Sequence, residues 1–497
     1  MASSPRWSRP GKSPRPRRDS PPRKRLGPPF VMASHGTRKP TFTEGMLMQR
    51  RTFLKLLGAA TGLGVGHFSP LGQALAEEAN AGHFFVCIHA SGGWDVTLWA
   101  DPRNEKLGLV SPASTENTDT GVIRRWVDAP LDGDTRTFAL VKPAGSNIVF
   151  GPGIGELGDM ASRLTVVNGL AMNTVSHPDG TAFSATGRHL VGGRVPGSSI
   201  DTLFANEFGL TQTFPLVSVQ FPSSYVGDNL DRRAVPLTIG SVGTLSRTLT
   251  RSTLYDSDAE RDKVTALLGK QARELAAESA YPDVMQGMAL QYDALRAMLG
   301  GKLQDVFSVG GLQKAQPQFN YKARFASGTA VNMAFAIEAM KRNVVRCVSF
   351  AQGGFDTHNA NYKTQALVQQ DLFDAVAQFV RTLDETPHPT LRGKKLADTT
   401  HILVMSDFCR TPQINTGGGR DHYPNNSALV ISPRFKGNFV FGKSDKEQLL
   451  PAHAKRFADG DRAIAPPDLL ATMLSAVSVN PRKYLRDGEV VPELLKV

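Results

Sequence analysis

Six short stretches of the chain are apolar at nearly every position: 84–90, 164–170, 214–219, 344–350, 401–405 and 428–431. Unalternating runs of this length predict strands covered on both faces. Between them the apolar period changes to that of helices. Residues 198–208 place Ile200, Leu203 and Phe204 on one side, behind Ser198 or Ser199 as a cap. A helix over 329–342 feeds directly into the strand at 344. Residues 363–384 predict a long amphipathic helix with Leu367, Val368, Leu372, Phe373, Val376, Phe379, Val380 and Leu383 on its apolar side, and residues 467–478 a terminal one. The stretch 255–345 reads as a helical block, with Val264, Leu267 and Leu268 as one set. Met285, Met288, Tyr292, Leu295 and Leu299 form another, with Gly and Pro breaking the block near 300–320. Strands alternating with helices imply an α/β protein, with a mostly parallel sheet between two helical layers.

Two of the strands end alike. Strand 84–90 runs through Ser91 into Gly92-Gly93-Trp94-Asp95, and strand 344–350 into Gly353-Gly354-Phe355-Asp356. A third, 401–405, ends in Ser406-Asp407. Ligands of open α/β sheets collect at the carboxyl ends of strands. Three aspartates delivered there, with His358 and His422 close by, suggest a metal site.

Charge narrows the partners. The net charge of +12 is concentrated in residues 1–55, which hold 14 Lys or Arg and 2 acids; the rest holds 43 of each. The body therefore has no overall basic field for a nucleic acid. The leader has another reading. Arg50-Arg51 precedes an uncharged Gly-, Ala- and Leu-rich segment ending Ala74-Leu75-Ala76, the pattern of a twin-arginine export signal cleaved after Ala76. Five glycines, a Pro, a His and a Gln make that segment too weak for a stable membrane span. The expected organisation is an extension or misplaced start over 1–45, a signal peptide over 46–76 and one domain over 77–497, with a helical insertion at about 255–345. The mature protein is expected outside the cytoplasm, periplasmic or extracellular, with the twin-arginine translocase as its partner during export. Cys87, Cys347 and Cys409 make no disulfide framework.

The candidate chemistry sits at four places. Asp356-Thr357-His358 can aim a carboxylate and an imidazole at one ion, and suits zinc, manganese or iron better than calcium. Gly417-Gly418-Gly419-Arg420-Asp421-His422 adds an acid and an imidazole on a loop whose glycines permit close approach, although a solvated surface loop reads the same way. Asp407 offers a third carboxylate, and Arg410 a planar fork for an anionic substrate; a turn-capping Asp and a surface Arg are the plainer reading. Ser176-His177-Pro178-Asp179-Gly180-Thr181 opens a helix whose first amides can hold an anion. A Ser or Thr hydroxyl near a metal becomes a nucleophile, although capping is its commoner role. A Ser-His-Asp triad is disfavoured, because Ser176 and His177 are adjacent and no Gly-x-Ser-x-Gly elbow is present.

Together these motifs resemble the family known as domain of unknown function 1501, grouped with the alkaline phosphatase and sulfatase superfamily. The markers are Gly92-Gly93-Trp94-Asp95, Ser176-His177, Gly353 to His358, Ser406 to Pro412 and Gly419 to His422, in that order. The resemblance implies a three-layer α/β/α sandwich, alkaline phosphatase-like, with a divalent metal centre, zinc first and manganese, iron or calcium as alternatives. It implies Asp95 and Asp407 in one metal site, and Asp356, His358 and His422 in the other. Ser176 is then the first choice of nucleophile and Thr181 the second, with Arg410 on the substrate. Two departures stand out. The phosphatase pattern has His after the third-strand Asp, where this chain has Phe408. The closer family often has Glu at position 407. One site is therefore expected to be poor in ligands or empty.

The leading expectation is an exported, metal-dependent hydrolase of phosphate or sulfate esters, acting on a small molecule or a polymer. The alternatives are a non-catalytic binding protein that kept the fold, and a metal-dependent transferase or mutase. Metal content separates the first two.

Overall fold

The computed structural model describes residues 82–102, 140–227, 229–249, 257–278, 296, 303–319, 328–445 and 448–496. The export leader, its cleavage site and the apolar set Met285 to Leu299 lie outside them. In chain order the strands are β1 (Phe84–Ala90), β2 (Leu164–Asn168), β3 (Phe214–Val219), β4 (Leu237–Ile239), β5 (Val345–Gln352), β6 (Thr400–Ser406), β7 (Cys409–Arg410), β8 (His422–Tyr423), β9 (Ser427–Ile431) and β10 (Phe439–Phe441), followed by a small hairpin. The main helices are α1 (His177–Thr186), α2 (Ile200–Phe208), α3 (Val242–Leu249), α4 (Asp258–Glu278), α5 (Leu303–Val306), α6 (Val309–Ala315), α7 (Thr329–Lys341), α8 (Asn361–Glu385) and α9 (Pro466–Ala476).

Eight strands form one sheet in the order β10-β2-β9-β6-β1-β5-β3-β4. Only β9 runs against its neighbours, so the sheet is mostly parallel. Its centre, β6-β1-β5, pairs Ala90 with both Gln352 and Ser406, and so brings three strand ends level. The motifs after those ends meet for that reason.

Side chains alternate between two cores. Phe84, Val86, Ile88 and Ala90 of β1 face the layer that holds α7 and α8. Phe85 and Cys87 face the layer that holds α2 and α9. Both faces being covered explains why the central strands read as continuous apolar runs. Ala, Met, Phe and Ile line α7 almost all round, and nearly the whole helix is buried. By contrast α4 leaves Leu267, Leu268 and Leu275 exposed. No helix among the described residues is long and apolar enough to cross a membrane.

At the amino end of the sheet lies a group of buried histidines. The ring nitrogens His83 Nδ1 and His401 Nε2 are 2.6 Å apart, and His401 Nδ1 lies 2.8 Å from Ser432 Oγ. Burial, with Arg434, Arg346 and His388 nearby, lowers the His83 pKa to about 4. Burial, with His83 and Arg434, holds His401 well below its ordinary value. The unfolded chain therefore takes up protons that the folded one refuses. Stability is full above about pH 6.5 and declines as pH falls toward 4, by on the order of 3 kcal/mol for His83 alone. Thermal melts between those limits should show Tm falling with acid, and His83→Gln should flatten the profile. An unchanged profile in that variant would remove His83 as the cause.

Candidate metal centre

The cluster is assembled from loops at the carboxyl ends of β1, β5 and β6, together with the first residue of α1. Gly92 makes the first contact possible. It has φ of 115°, and a Cβ there would lie 2.5 Å from the Asp356 backbone nitrogen. The two Gly-Gly turns thus touch backbone to backbone, which only glycine permits at that position. Gly419 plays the same part for the third loop, since a Cβ would fall 1.9 Å from the His358 carbonyl.

Asp356 Oδ1 is the centre of the cluster. His358 Nε2 lies 3.1 Å from it, His177 Nε2 3.5 Å and His422 Nε2 3.7 Å. His358 Nε2 and His422 Nε2 are 2.9 Å apart. Donors bound at about 2.0–2.1 Å to one zinc ion stand about 3–3.5 Å from one another. The ligand atoms of His177, Asp356 and His422 all lie within 4.8 Å of one another, a spacing that suits a single ion, and His358 Nε2 stands beside Asp356 and His422 as a further nitrogen.

The other nitrogen of each ring is engaged. His177 Nδ1 donates to Asp407 Oδ2 at 2.6 Å, His358 Nδ1 to Asp421 Oδ1 at 2.8 Å, and His422 Nδ1 to the Val175 carbonyl at 2.8 Å. Each acceptor requires a proton on Nδ1, so each neutral ring presents a lone pair at Nε2. His177 Nε2 is buried without any hydrogen-bond partner. His358 and His422 bring two such lone pairs face to face, an arrangement that a cation between them would relieve.

The charges follow from the same contacts. Burial opposes the ionised form of Asp356, but Arg410, His177 and His358 outweigh it and hold the carboxyl below its ordinary pKa. Asp407 is 2% exposed. There too burial opposes ionisation, and the charges and hydrogen bonds of His89 and His177 overcome it, so its pKa is far below normal. The Asp407 bond is the main cause of the raised pKa of His177. Burial is the main cause of the lowered pKa of His422, assisted by His177, Arg410 and His358.

The expected residues divide into two groups. Asp356, His358 and His422 come together. Asp407 stands behind the cluster, with Oδ1 bound by His89 Nε2 at 2.6 Å, Oδ2 by His177, and the Gly92 N–H donating to Oδ2 at 3.2 Å. Asp95 does not join. It is fully buried and accepts from the Thr97 N–H and hydroxyl and from Asn361 Nδ2, with Arg420 Nε 3.4 Å away. Arg410 is fully buried too. It does not reach out as a clamp: its nitrogens donate to the Gly92, Gly93 and Arg420 carbonyls and, at 2.6 Å, to Asp356 Oδ1. Ser176 caps α1 without using its hydroxyl for the cap, and it is exposed. Thr181 is half-buried within α1. No hydrogen bond among the described residues ties its side chain to the cluster.

His177 is the member that the sequence reasoning passed over as a ligand. The sequence presents it as a family marker beside Ser176 and as the imidazole of a disfavoured Ser-His-Asp triad. Its position as the first residue of α1 turns its ring toward Asp407. Phe408, the residue after Asp407, packs its ring 4.7 Å from those of both His177 and His422. The aromatic wall and the imidazole beside it together fill that corner.

A family model described as "Protein of unknown function (DUF1501)" matches residues 86–489. No curated protein matches the chain at a significant level. Among solved structures, one titled "Crystal structure of Ps i-CgsB in complex with k-i-k-neocarrahexaose" is 11% identical, with a TM-score of 0.32, over 82% of this chain and 74% of that chain. A score that low carries no argument about fold or activity.

One ion per chain is the expected stoichiometry after equilibration with zinc and dialysis. His358→Ala and His422→Ala should abolish retention, and Asp407→Asn should weaken affinity by about 10- to 100-fold through His177. Asp95→Asn should lower Tm and leave the stoichiometry at one. A fall from two ions to one in Asp95→Asn would restore the two-site arrangement.

Proposed function

This chain belongs to the DUF1501 family, and we propose that it works as an exported, metal-dependent hydrolase of phosphate or sulfate esters. The proposal includes kinship with the alkaline phosphatase and sulfatase superfamily, a three-layer sandwich of that kind. It also includes export by the twin-arginine route, on the strength of Arg50-Arg51 and Ala74-Leu75-Ala76. One observation carries the catalytic part. His177, His358 and His422 each spend Nδ1 on a fixed acceptor and turn Nε2 toward Asp356. Three pre-set lone pairs beside a carboxylate, one of them on a buried nitrogen with no partner, fit a divalent cation of the zinc, manganese or iron type.

His177, Asp356 and His422 would hold that cation, with His358 Nε2 next to them as a further donor. When bound, it would supply Lewis acidity toward an ester oxygen and acidify an oxygen nucleophile nearby. The chain's own groups do the rest. Asp407 and Asp421 fix the ring orientation of His177 and His358 and keep Nδ1 protonated. Arg410 holds Asp356 ionised and aimed. Ser176 offers a hydroxyl free of capping duty at the start of α1, where helix amides favour developing negative charge. Phe408 packs its ring beside those of His177 and His422 and covers one side of the two imidazoles.

A second reading keeps the metal and drops the chemistry: an exported protein that binds a glycan, a surface polymer or a partner. Its support is the filled hydrogen-bond shells of Asp95 and Asp407, which leave a second ion without donors.

Elemental analysis followed by generic esters separates the two readings. The protein should carry stoichiometric metal and turn over at least one phosphate or sulfate ester, with loss of turnover on chelation and recovery on return of the ion. Ser176→Ala should abolish turnover and leave metal content unchanged. Full activity in that variant would take Ser176 out of the reaction and shift the assignment to Thr181 or to direct hydrolysis. Metal without any ester turnover would favour the binding protein. Separately, replacing Arg50 and Arg51 by Lys should leave the chain in the cytoplasm; unchanged export would rule out the twin-arginine route.

A further inference from the structure

We propose that Thr357 is a positioning residue for the metal cluster, fixed by a ladder of buried carboxamides on α8 so that Asp356 and His358, on either side of it, present their ligand atoms together. The inference deepens the metal reading above and rests on it, but it does not depend on ester turnover.

Exposure separates Thr357 from its neighbours. Asp356 and His358 are 51% and 43% exposed, and Asp356 Oδ1 lies 3.1 Å from His358 Nε2. Thr357 is 2% exposed. Its side chain is turned into the protein while the two flanking side chains are turned out. No helix or strand runs through residues 353–358. Regular backbone bonding therefore does not set the direction of the two ligands, and the contacts of Thr357 have to. Its carbonyl also accepts from the Arg420 N–H at 2.9 Å, which ties the loop to a point two residues before His422.

The ladder consists of Asn361, the first residue of α8, with Gln365 and Gln369 one and two turns further on the same face. All three are fully buried, as is Asp95. A buried carboxamide has to put its oxygen and its nitrogen on the right partners, and Asp95 decides which end goes where. Its carboxylate takes Asn361 Nδ2 at 2.8 Å, so Asn361 turns Oδ1 to Thr357 and accepts from that hydroxyl at 2.6 Å. The Asp95 N–H donates to Gln365 Oε1 at 3.3 Å, and Gln369 Nε2 donates to the same oxygen and to the Asp95 carbonyl, each at 2.9 Å. Gln365 Nε2 is left for the ligand loop, where it donates to the Phe355 carbonyl and to Thr357 Oγ, each at 3.1 Å. The Thr357 hydroxyl thus gives its proton to one amide and accepts from the next. Asp95, which does not reach the cluster, acts on it by setting the direction of these bonds.

Zinc affinity, measured on the full chain by competition with a chelator, tests the assignment without any reaction. Thr357→Val keeps the shape and removes the hydroxyl, and should weaken zinc binding by about 10- to 100-fold. Thr357→Ser, which keeps the hydroxyl, should restore it. Gln365→Met removes the donor to Thr357 and the Phe355 carbonyl, and should weaken binding in the same direction. Two further readouts separate positioning from a loss of stability. A protein that is only less stable melts lower with and without zinc, whereas lost positioning shrinks the rise in Tm that zinc produces. The absorption bands of Co(II)-loaded protein should also change in Thr357→Val and return in Thr357→Ser. Unchanged zinc affinity in Thr357→Val would overturn the assignment, as would unchanged affinity in Gln365→Met should Thr357→Val not fold. A Thr357→Ser protein as weak as Thr357→Val would overturn it too. Failure of the unsubstituted protein to bind any ion would end the assignment together with the metal reading. Zinc binding that depends on Thr357, with no ester hydrolysed, would contradict the hydrolase reading and leave the role of Thr357 standing.

Discussion

Two guanidinium groups with no exposure hold the loops of this site together. Arg410 joins the first Gly-Gly turn to Asp356 and to the Arg420 carbonyl. Arg420 lies between Asp95 and the Tyr362 ring. Buried charges are tolerable only when paired and fully hydrogen-bonded, and removing one partner costs about 3–5 kcal/mol. The pairs are therefore a constraint on geometry more than a source of stability. They require the carboxyl ends of β1 and β5 and the loop before β8 to stay in one arrangement. The register of the central strands brings those ends level, and the glycines at 92 and 419 allow the backbones to touch.

The cluster inherits its chemistry from that framework. Asp407 is a buried carboxylate between two imidazoles, His89 and His177, and so sets the tautomer of His177. Asp421 and the Val175 carbonyl do the same for His358 and His422. None of the three rings is free to present its other nitrogen. Rings fixed in this way would need little reordering to take an ion, which would lower the cost of ordering ligands on binding. In the same arrangement the oxygens of Asp95 and Asp407 accept from Asn361, Thr97, His89, His177 and Gly92.

The central strands were legible in the sequence because burial on both faces writes a continuous apolar run. The edge strands Leu237–Ile239 and Phe439–Phe441 were not. Each has three residues of incomplete burial, too few for a pattern. Helix 363–384 was readable from its apolar stripe, since it packs one face on the sheet layer and lies within one residue of α8 at its carboxyl end and two at its amino end. At the cluster, Asp356, His358 and His422 could be chosen because glycine turns after buried strands mark where ligands collect. The roles of Asp95, Asp407 and Arg410 could not, because they depend on which donors arrive from remote positions. Arg420 lies 325 residues beyond Asp95, and His89 lies 318 before Asp407. His177 carries a signal of its own, an imidazole at the first residue of a helix directly after Ser176. Its direction is not in the sequence, since chain neighbours usually point apart and only the fold turns His177 toward Asp407 and Asp356.

The central claim is one ion held by three imidazoles and one carboxylate. X-ray absorption at the zinc edge, on protein reconstituted with zinc, tests it most directly. The account requires a first shell of nitrogen and oxygen at about 2.0–2.1 Å, with the outer-ring scattering of three imidazoles. His177→Phe should reduce that scattering to two imidazoles. A metal–metal vector at about 3.5–4 Å, or imidazole scattering unchanged in His177→Phe, would contradict it.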